Sequence, residues 1–300
     1  MRRVLATCLL SLLLCVAMPG PAAHAARTPS DSTSTKGLRI TPVRESLSVD
    51  AGKAADSSFT VANLTDNALS VHLEVQQFSV SDYVYDYSFS PPAHDWLHLS
   101  VDSVTLLPHQ EYKVSYTVAV PSDGKPSGYY YTLFANTDII AQGVKSTLQA
   151  ADLLYLTVNG KLTRTSHLQS TRMPWISFGR NISYDLQPIN TGNIHFFVYA
   201  NGQLHGWLTG PAATPQTYIL MPDKPRAIHG TIHAPIMPGV YRATLGYKTD
   251  SGETVTESRW LVYIPPWFIA VVLGALLLAG RFLPHRKKRS QLLQPTDPSS

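Results

Sequence analysis

Hydrophobic and polar residues alternate in short runs from Gly37 onward, and most of these runs are bounded by Gly, Pro, Asn or Asp. Side chains of a β-strand point alternately to its two faces, so a period of two predicts strands with one buried face. Between the two terminal apolar segments, no window keeps a helical period over three turns. The pattern therefore predicts an all-β region. Its clearest runs are LRITPV, SSFTVANL, LSVHLEV, YKVSYTVAV and LLYLTV.

The run YKVSYTVAV shows the alternation most clearly. One face is predicted to carry Tyr112, Val114, Tyr116, Val118 and Val120. The polar residues between them fall on the other face. An antiparallel strand that covers a core on one side has this composition.

An internal repeat divides the region into two parts. Pro108 and Pro121 are 13 positions apart and enclose a strand pattern, and Pro222 and Pro235 repeat this spacing. Upstream of each pair, VANLTDNALSV and LQPINTGNIHF place an Asn-rich turn between two strands. Two copies of one β-module explain the repeat. We predict two tandem immunoglobulin-like β-sandwich domains, over 37–159 and 160–264.

The N-terminus has the pattern of a secretory signal peptide. Two arginines precede an apolar core, and Ala23 and Ala25 supply the small residues before a cleavage site. We predict a signal peptide over 1–25, followed by a flexible polar spacer over 26–36. Both cysteines, Cys8 and Cys15, would be removed with the signal peptide. The exported protein would then contain no disulfide.

The C-terminus has the pattern of a single membrane anchor. An apolar stretch predicts a transmembrane helix over 265–284, with Trp267 at one interface and Arg281 near the other end. A basic run follows, consisting of Arg286, Lys287, Lys288 and Arg289. Basic residues stay on the cytoplasmic side, so 285–300 is predicted to be a cytoplasmic tail. The expected location is the cell membrane, as a single-pass type I protein with its β-modules outside.

The distribution of charge argues against a nucleic-acid partner. The chain has 24 Lys and Arg against 20 Asp and Glu. Between residues 27 and 266, however, 17 basic residues face 19 acidic ones, a balance of 17 − 19 = −2. The excess of positive charge lies at the two termini, and the β-region lacks the basic surface that nucleic-acid binding requires.

The sequence offers no clear catalytic, metal or cofactor site, so we expect a protein that is not an enzyme. His94 and His98 stand four apart, but strand-like sequence surrounds them. His229 and His233 would lie about 13 Å apart on a strand, too far to share an ion. His195 follows a turn and is expected to bond that turn. No nucleophile elbow and no phosphate-binding loop occurs.

An aromatic row in DYVYDYSF is the one candidate recognition surface. If the segment is a strand, Tyr83, Tyr85, Tyr87 and Phe89 share a face, where they could stack on sugar rings or anchor a protein. The alternative is that these rings face the sandwich core. In GYYYTLF, Tyr130 points opposite to Tyr129 and Tyr131, so at least one of these rings is expected to meet solvent or the neighbouring module.

The order of these motifs resembles a known family. The segments VANLTDNALSV, DWLHL, LLPHQEYKVSYTVAVP, INTGNIHF and PGVYRATLGY, followed by one apolar span and a basic tail, are similar to bacterial membrane-anchored surface proteins related to the WxL-interacting proteins. The resemblance covers most of residues 38 to 289. It implies binding of peptidoglycan or a partner protein by the first module. No ligand-binding motif carries over residue by residue.

We therefore expect a non-catalytic cell-surface protein that binds a cell-wall polymer or an envelope protein. The alternative is a membrane-tethered assembly chaperone that accepts a client strand at an exposed sheet edge. A co-purifying subunit that leaves when the edge is disrupted would favour the alternative. The sequence does not determine the oligomeric state.

Overall fold

A computed structural model describes residues 37–141, 144–206 and 209–282. The predicted signal peptide, spacer and cytoplasmic tail lie outside these residues, and so do Arg286, Lys287, Lys288 and Arg289. We refer to residues 37–159 as the first module and to 160–264 as the second module.

The first module consists of strands joined by turns. They are β1 (Leu38–Thr41), β2 (Arg44–Val49), β3 (Ala54–Asn63), β4 (Leu69–Val80), β5 (Tyr87–Ser90), β6 (Leu97–Leu99), β7 (Ser103–Leu106), β8 (Glu111–Ala119), β9 (Gly128–Ala141) and β10 (Val144–Val158). One sheet has the order β1-β3-β8-β6. The other has the order β2-β10-β9-β4-β5, with β7 also paired to β4.

The two sheets of the first module pack face to face around an apolar core. Val114, Tyr116 and Val118 of β8 are buried against Leu133 of β9 and Leu154 of β10, so both sheets contribute to one cluster. The predicted inward face of YKVSYTVAV is confirmed for these three residues and for Val120, whereas Tyr112 at the end of the run is exposed. The all-β sandwich predicted from the alternation is confirmed.

The second module repeats the arrangement. Its strands are β11 (Ser166–Arg172), β12 (Ile176–Ser177), β13 (Asn181–Asn190), β14 (Phe196–His205), β15 (Thr209–Ala212), β16 (Gln216–Leu220), β17 (Ile228–His233), β18 (Gly239–Thr249) and β19 (Thr254–Tyr263). The sheets have the orders β11-β13-β17 and β12-β19-β18-β14-β15, with β16 also paired to β14. A second apolar cluster, including Leu186, Phe196 and Leu245, lies between them.

The Asn-rich turn of the first module is held by one buried side chain. Asn63 is completely buried at the end of β3. Its amide donates to the carbonyl oxygens of Asn67 at 2.7 Å, Leu107 at 3.0 Å and Leu106 at 3.2 Å, and its carbonyl oxygen accepts from the Thr65 N–H at 2.9 Å. The side chain thereby ties the turn to the strand β7.

The second module contains the same device. Asn190 is also completely buried, at the end of β13. Its amide donates to the carbonyl oxygens of Ile194 at 2.8 Å and Leu220 at 3.0 Å, and its own oxygen accepts from the Gly192 N–H at 2.8 Å. The same three types of hydrogen bond in both modules support the internal repeat inferred from the sequence.

The two modules contact each other through the outer face of the larger first-module sheet. Phe78, Val80 and Tyr155 of that face form a buried cluster with Tyr85 and with Met221 of the second module. The first module therefore buries apolar side chains on the outer face of this sheet as well as in its core.

Tyr130 adds a polar contact at the same joint. Tyr131 is buried in the first-module core, whereas the Tyr130 hydroxyl accepts a hydrogen bond from the His195 backbone N–H at 3.1 Å. The expectation that one ring of this tyrosine run meets the neighbouring module is confirmed.

A helix, α1 (Pro266–Phe282), follows the second module. Its 17 described residues include Arg281 in the last turn. Within the described ranges, no helix is both long and apolar enough to cross a membrane. Residues 283 and 284 of the predicted transmembrane segment 265–284 lie outside the described residues, and the membrane span stays a prediction.

Candidate binding site

The strand β10 has a long unpaired edge. It pairs with β9 along nearly its whole length, from Val144 to Thr157. On its other side, the parallel partner β2 covers only Leu153 to Val158. Among the described residues, no strand pairs with the 145–152 stretch on that side. We call this stretch the open edge of β10.

The backbone groups that face the open edge follow from the pairing beside it. The Leu153 N–H donates to the Val43 carbonyl oxygen at 3.2 Å, so odd-numbered residues of β10 direct their N–H and C=O groups to this side. Thr147, Gln149 and Ala151 therefore present free backbone groups. A row of such groups is a template for an additional strand.

The strand β1 passes beside β10 without pairing with it. Its hydrogen bonds go to β3, with Leu38 opposite Asn63 and Thr41 opposite Thr60. Two half-buried side chains of the open edge, Leu148 and Ala150, point toward the core. The edge therefore combines unpaired backbone groups with half-buried apolar side chains.

A buried carboxylate marks the end of the open edge. Asp152 is fully buried on the core face, opposite Leu133, and neither of its oxygens has a hydrogen-bond partner. Burial, followed by the negative charge of Glu45, raises the pKa of Asp152 to about 7. The Glu45 carboxylate itself accepts hydrogen bonds from the Tyr116 hydroxyl at 2.8 Å and the Ser57 hydroxyl at 2.6 Å.

A cleft between the modules begins where the open edge ends. Arg44, the first residue of β2, lies opposite Leu153 in the sheet. Its guanidinium lies 5.4 Å from the centre of the Tyr155 ring. Arg44 and Arg226 both line a cavity of about 280 Å³ in this cleft.

Arg226 forms the other wall of the cleft. Its guanidinium lies 4.3 Å from the Tyr85 ring centre and 4.9 Å from that of Tyr218, and it donates to the Ile219 carbonyl oxygen at 2.7 Å. In the part of the chain that the structure describes, neither Arg226 nor Arg44 has a carboxylate within 4.0 Å. The cleft is therefore positively charged and lined with aromatic rings.

The predicted aromatic row is divided between two environments. Tyr83 and Tyr85 lie in a turn with positive φ values of 65°, and the strand β5 begins only at Tyr87. Tyr85 is buried at the joint, where its hydroxyl donates to the Lys224 carbonyl oxygen at 3.0 Å and accepts from the Met221 N–H at 3.1 Å. The prediction of four rings on one strand face is wrong, because the turn redirects the first two.

Tyr87 and Phe89 do share one face of β5. Their ring centres are 6.3 Å apart with an angle of 12° between the planes, and the residues are 44% and 42% exposed. Phe78 and Phe134 support the two rings edge-on from the neighbouring strands. Tyr83 is also exposed, but it lies beside Arg226 of the second module.

The candidate histidines lie in separate places. His94 stacks on Trp96 at 4.5 Å, His195 is at the joint, and His229 bonds Asp185 at 2.6 Å. Burial, with a smaller effect of Arg164, lowers the pKa of His195 to about 4. His195 was expected to bond its turn, but it bonds Tyr130 instead. Within the described ranges, no three His, Cys, Asp or Glu side chains are placed to hold a metal ion.

The sequence matches no protein-family model and no curated protein sequence. Among solved structures, the class 5 fimbriae chaperone CfaA is similar at 10% identity and a TM-score of 0.44, over 76% of this chain and 100% of that one. The CsuC–CsuE chaperone–tip adhesion subunit pre-assembly complex of Acinetobacter baumannii gives 12% and 0.40, over 76% and 99%.

The PapD-like domain 7 of human CEP192 gives 18% and a TM-score of 0.30, over 47% of this chain and 98% of that one. All three identities are below 20% and all three TM-scores are below 0.5. We therefore assign neither a family nor a function from these similarities.

The sequence contained a signal for Asp152 that the prediction missed. In QAADLLYLTV, a period of two places Asp152 on the same face as Leu154 and Leu156, which are both buried. An acidic residue on an inward face is unusual. Arg44 and Arg226 had no such signal, because they are 182 positions apart and meet only when the modules pack together.

Proposed function

We propose that this chain is a non-catalytic binding protein that accepts an extended segment of a partner protein along the open edge of β10. This is the assembly-chaperone alternative of the sequence analysis. The observation that carries the proposal is the stretch 145–152 of β10, which has no strand partner on its outer side among the described residues. On its inner side it pairs with β9, which is itself paired with β4. Main-chain hydrogen bonds would supply affinity, and side-chain pockets would supply selectivity.

The direction of the bound segment follows from the charge at the end of the edge. A segment on this edge would lie in line with β2 and would end beside Arg44, which is opposite Leu153. A free C-terminal carboxylate is the anionic group that suits Arg44 and Arg226. The segment must then run parallel to β10, with its C-terminus at the cleft. Its apolar side chains would contact Leu148 and Ala150.

A proline substitution tests the edge directly. Gln149→Pro removes one outward-facing N–H while leaving the hydrogen bonds to β9 in place, since residue 149 faces the open side. Ser258→Pro is the matched control, because Ser258 occupies the corresponding position on β19. The probe is a set of ten-residue peptides with alternating apolar residues and a free C-terminus. Fluorescence polarisation should show binding about tenfold weaker for Gln149→Pro alone. Equal affinity for both variants would sink the proposal.

Amidation of the peptides tests the role of the cleft. Blocking the C-terminal carboxylate should weaken binding to the wild-type chain and should have little effect on Arg44→Ala. Arg39→Ala is the control, because Arg39 pairs with Glu111 on the exposed surface of the same module. If amidated and free peptides bind the wild-type chain alike, the parallel orientation is excluded.

A second candidate function is binding of a cell-wall polymer, and the stacked pair Tyr87 and Phe89 favours it. Two parallel, half-exposed rings form a platform on which sugar rings stack. Tyr87→Ala with Phe89→Ala should abolish retention of the protein on purified wall sacculi. Tyr112→Ala with Tyr199→Ala removes two comparably exposed rings elsewhere and should leave retention unchanged.

We also propose that the modules act outside the cytoplasm, attached to a membrane. The support is the signal-peptide pattern of residues 1–25, together with the exposed apolar side chains of α1. The predicted kinship with WxL-interacting proteins and the type I orientation stay predictions. Alkaline carbonate extraction of membranes tests attachment, and release of the intact chain would contradict it.

A further inference from the structure

Large apolar side chains gather at the end of the second module from which α1 departs. All are well exposed, from 46% for Phe178 to 84% for Ile236. The group, which we call the apolar collar, consists of Trp175, Phe178, Ile236, Met237, Val240 and Trp260. Single exposed apolar residues are ordinary, whereas a clustered set marks an interaction surface.

Strand pairing places these residues at one end of the module. Ile176 of β12 pairs with Val262, and Val240 of β18 pairs with the same residue from the other side. The Ala234 N–H donates to the Arg180 carbonyl oxygen at 2.8 Å, which brings the turn before β18 to the start of β13. Three separate chain segments therefore meet where β19 ends and α1 begins.

The charge of these segments is entirely positive. Residues 172–182, 234–242 and 258–268 contain no Asp or Glu. They contain the four arginines Arg172, Arg180, Arg242 and Arg259, of which Arg259 pairs with Glu257 at 3.1 Å. Arg180 and Arg242 are exposed, and in the described residues neither forms a salt bridge. The apolar collar therefore lies beside the unpaired guanidinium groups of Arg180 and Arg242.

This combination fits the boundary of an anionic lipid bilayer. Tryptophan prefers the interface between headgroups and acyl chains, and arginine keeps its stem in the apolar layer while its head reaches phosphate. Each basic side chain near an anionic surface contributes about 1 kcal/mol of attraction. A bilayer surface can contact the apolar side chains of the collar and the neighbouring arginines at the same time.

The helix α1 favours lipid over a protein groove as the occupant. Leu276 and Leu277 are 63% and 77% exposed, although neighbouring helical positions point in directions about 100° apart. Val271 and Leu273 are exposed as well. A protein groove covers one face of a helix, whereas lipid covers all of them. Because α1 leaves from the collar, a bilayer around α1 would also touch the collar.

We propose that the apolar collar is a lipid-contacting surface that rests on an anionic bilayer at the base of α1. The collar would hold the second module against the headgroups. The proposal rests on the membrane attachment proposed above and is independent of strand binding at β10, since the two surfaces are on different modules.

Fluorescence quenching tests the contact even if α1 dominates attachment. The full chain is incorporated into vesicles of phosphatidylcholine with a minor fraction of phosphatidylglycerol, with or without brominated acyl chains. The emission of Trp175 and Trp260 is isolated by subtracting the Trp175→Phe/Trp260→Phe variant. Brominated chains should quench this difference emission by about half or more, because bromine quenches tryptophan only on close approach. Unquenched difference emission would overturn the proposal.

Charge reversal tests the arginines separately. Arg180→Glu/Arg242→Glu should weaken partition onto the mixed vesicles about tenfold and leave partition onto pure phosphatidylcholine unchanged. Lys53→Glu/Lys113→Glu on the first module is the matched control and should behave like wild type. If the control weakens partition equally, the collar has no special role. The surface would instead bind a second copy of the chain under two conditions. The emission would stay unquenched, and the chain would self-associate without lipid in a way that Trp175→Ser/Trp260→Ser abolishes.

Discussion

The last strands of the two modules, β10 and β19, have the same topology and opposite surface chemistry. Each pairs along one side with the strand before it and, on the other side, with a short parallel strand at its C-terminal end. The Leu153 N–H bonds Val43 as the Val262 N–H bonds Trp175, so residue 153 corresponds to residue 262. Among the described residues, each module therefore leaves one long strand edge unpaired.

The inward-facing side chains make the difference between these edges. Leu148 and Ala150 of β10 correspond to Glu257 and Arg259 of β19, which form a salt bridge at 3.1 Å. Charged residues that point inward at an edge block the addition of another strand. The second module thus protects its edge, whereas the first leaves its edge able to bind.

By the same correspondence, Asp152 of β10 is equivalent to Leu261 of β19. Both side chains are fully buried, yet one is an unpartnered carboxylate and the other an ordinary core residue. Burying an unpaired carboxyl group costs stability. The first module is therefore the less optimised copy at its open edge, as expected where function rather than stability governs a residue.

The largest effect that we expect concerns the buried asparagine that each module has at its Asn-rich turn. Asn63→Ala and Asn190→Ala each remove the buried amide's hydrogen bonds to at least two carbonyl oxygens and one N–H, so each should lower the free energy of unfolding by about 3 kcal/mol or more. Asn159→Ala is the control, because Asn159 is exposed, and it should change stability by less than about 0.5 kcal/mol. Urea titration measures all three. A cost confined to one module would contradict the shared device.

The next effect is a dependence of stability on pH, which we expect in the first module because of Asp152. The pKa of Asp152 is raised by folding, so the folded state binds the extra proton and its stability should fall as pH rises from about 4 to about 7. Asp152→Asn should remove this fall and stabilise the first module by about 2–4 kcal/mol at pH 8. Asp123→Asn, at an exposed position of the same module, should keep the wild-type slope. Thermal unfolding across this pH range measures the difference, and an unchanged slope in Asp152→Asn would exclude the assignment.

The smallest effect tests the edges by exchanging them. Leu148→Glu/Ala150→Arg copies the charged pair of β19 onto β10 and should weaken peptide binding about tenfold, which is about 1.4 kcal/mol. Glu257→Leu/Arg259→Ala is the reciprocal change and should create weak binding on β19. Fluorescence polarisation with the same peptides measures both. If the first exchange leaves affinity intact, the edge of β10 is not the binding surface.

Much of the fold could be predicted from local pattern. The alternation in YKVSYTVAV identified Val114, Tyr116 and Val118 as core residues, and the Asn-rich turns revealed the repeat. The aromatic row was mispredicted. Aromatic residues occupy every second position from Tyr83 to Phe89, but the backbone at Tyr83 and Tyr85 forms a turn and not a strand. Period two describes side chains only where the backbone is extended.

The sequence by itself determined the strand content, the two-module repeat and the inward faces, because each depends on residues a few positions apart in a regular backbone. Only the tertiary structure decided that β2 pairs with β10 only from Leu153 to Val158, that Arg44 and Arg226 share a cleft, and that the collar residues meet. Those features depend on pairing register and on contacts between distant segments. Strand pairing is fixed by the whole sandwich and not by the alternation within any one strand.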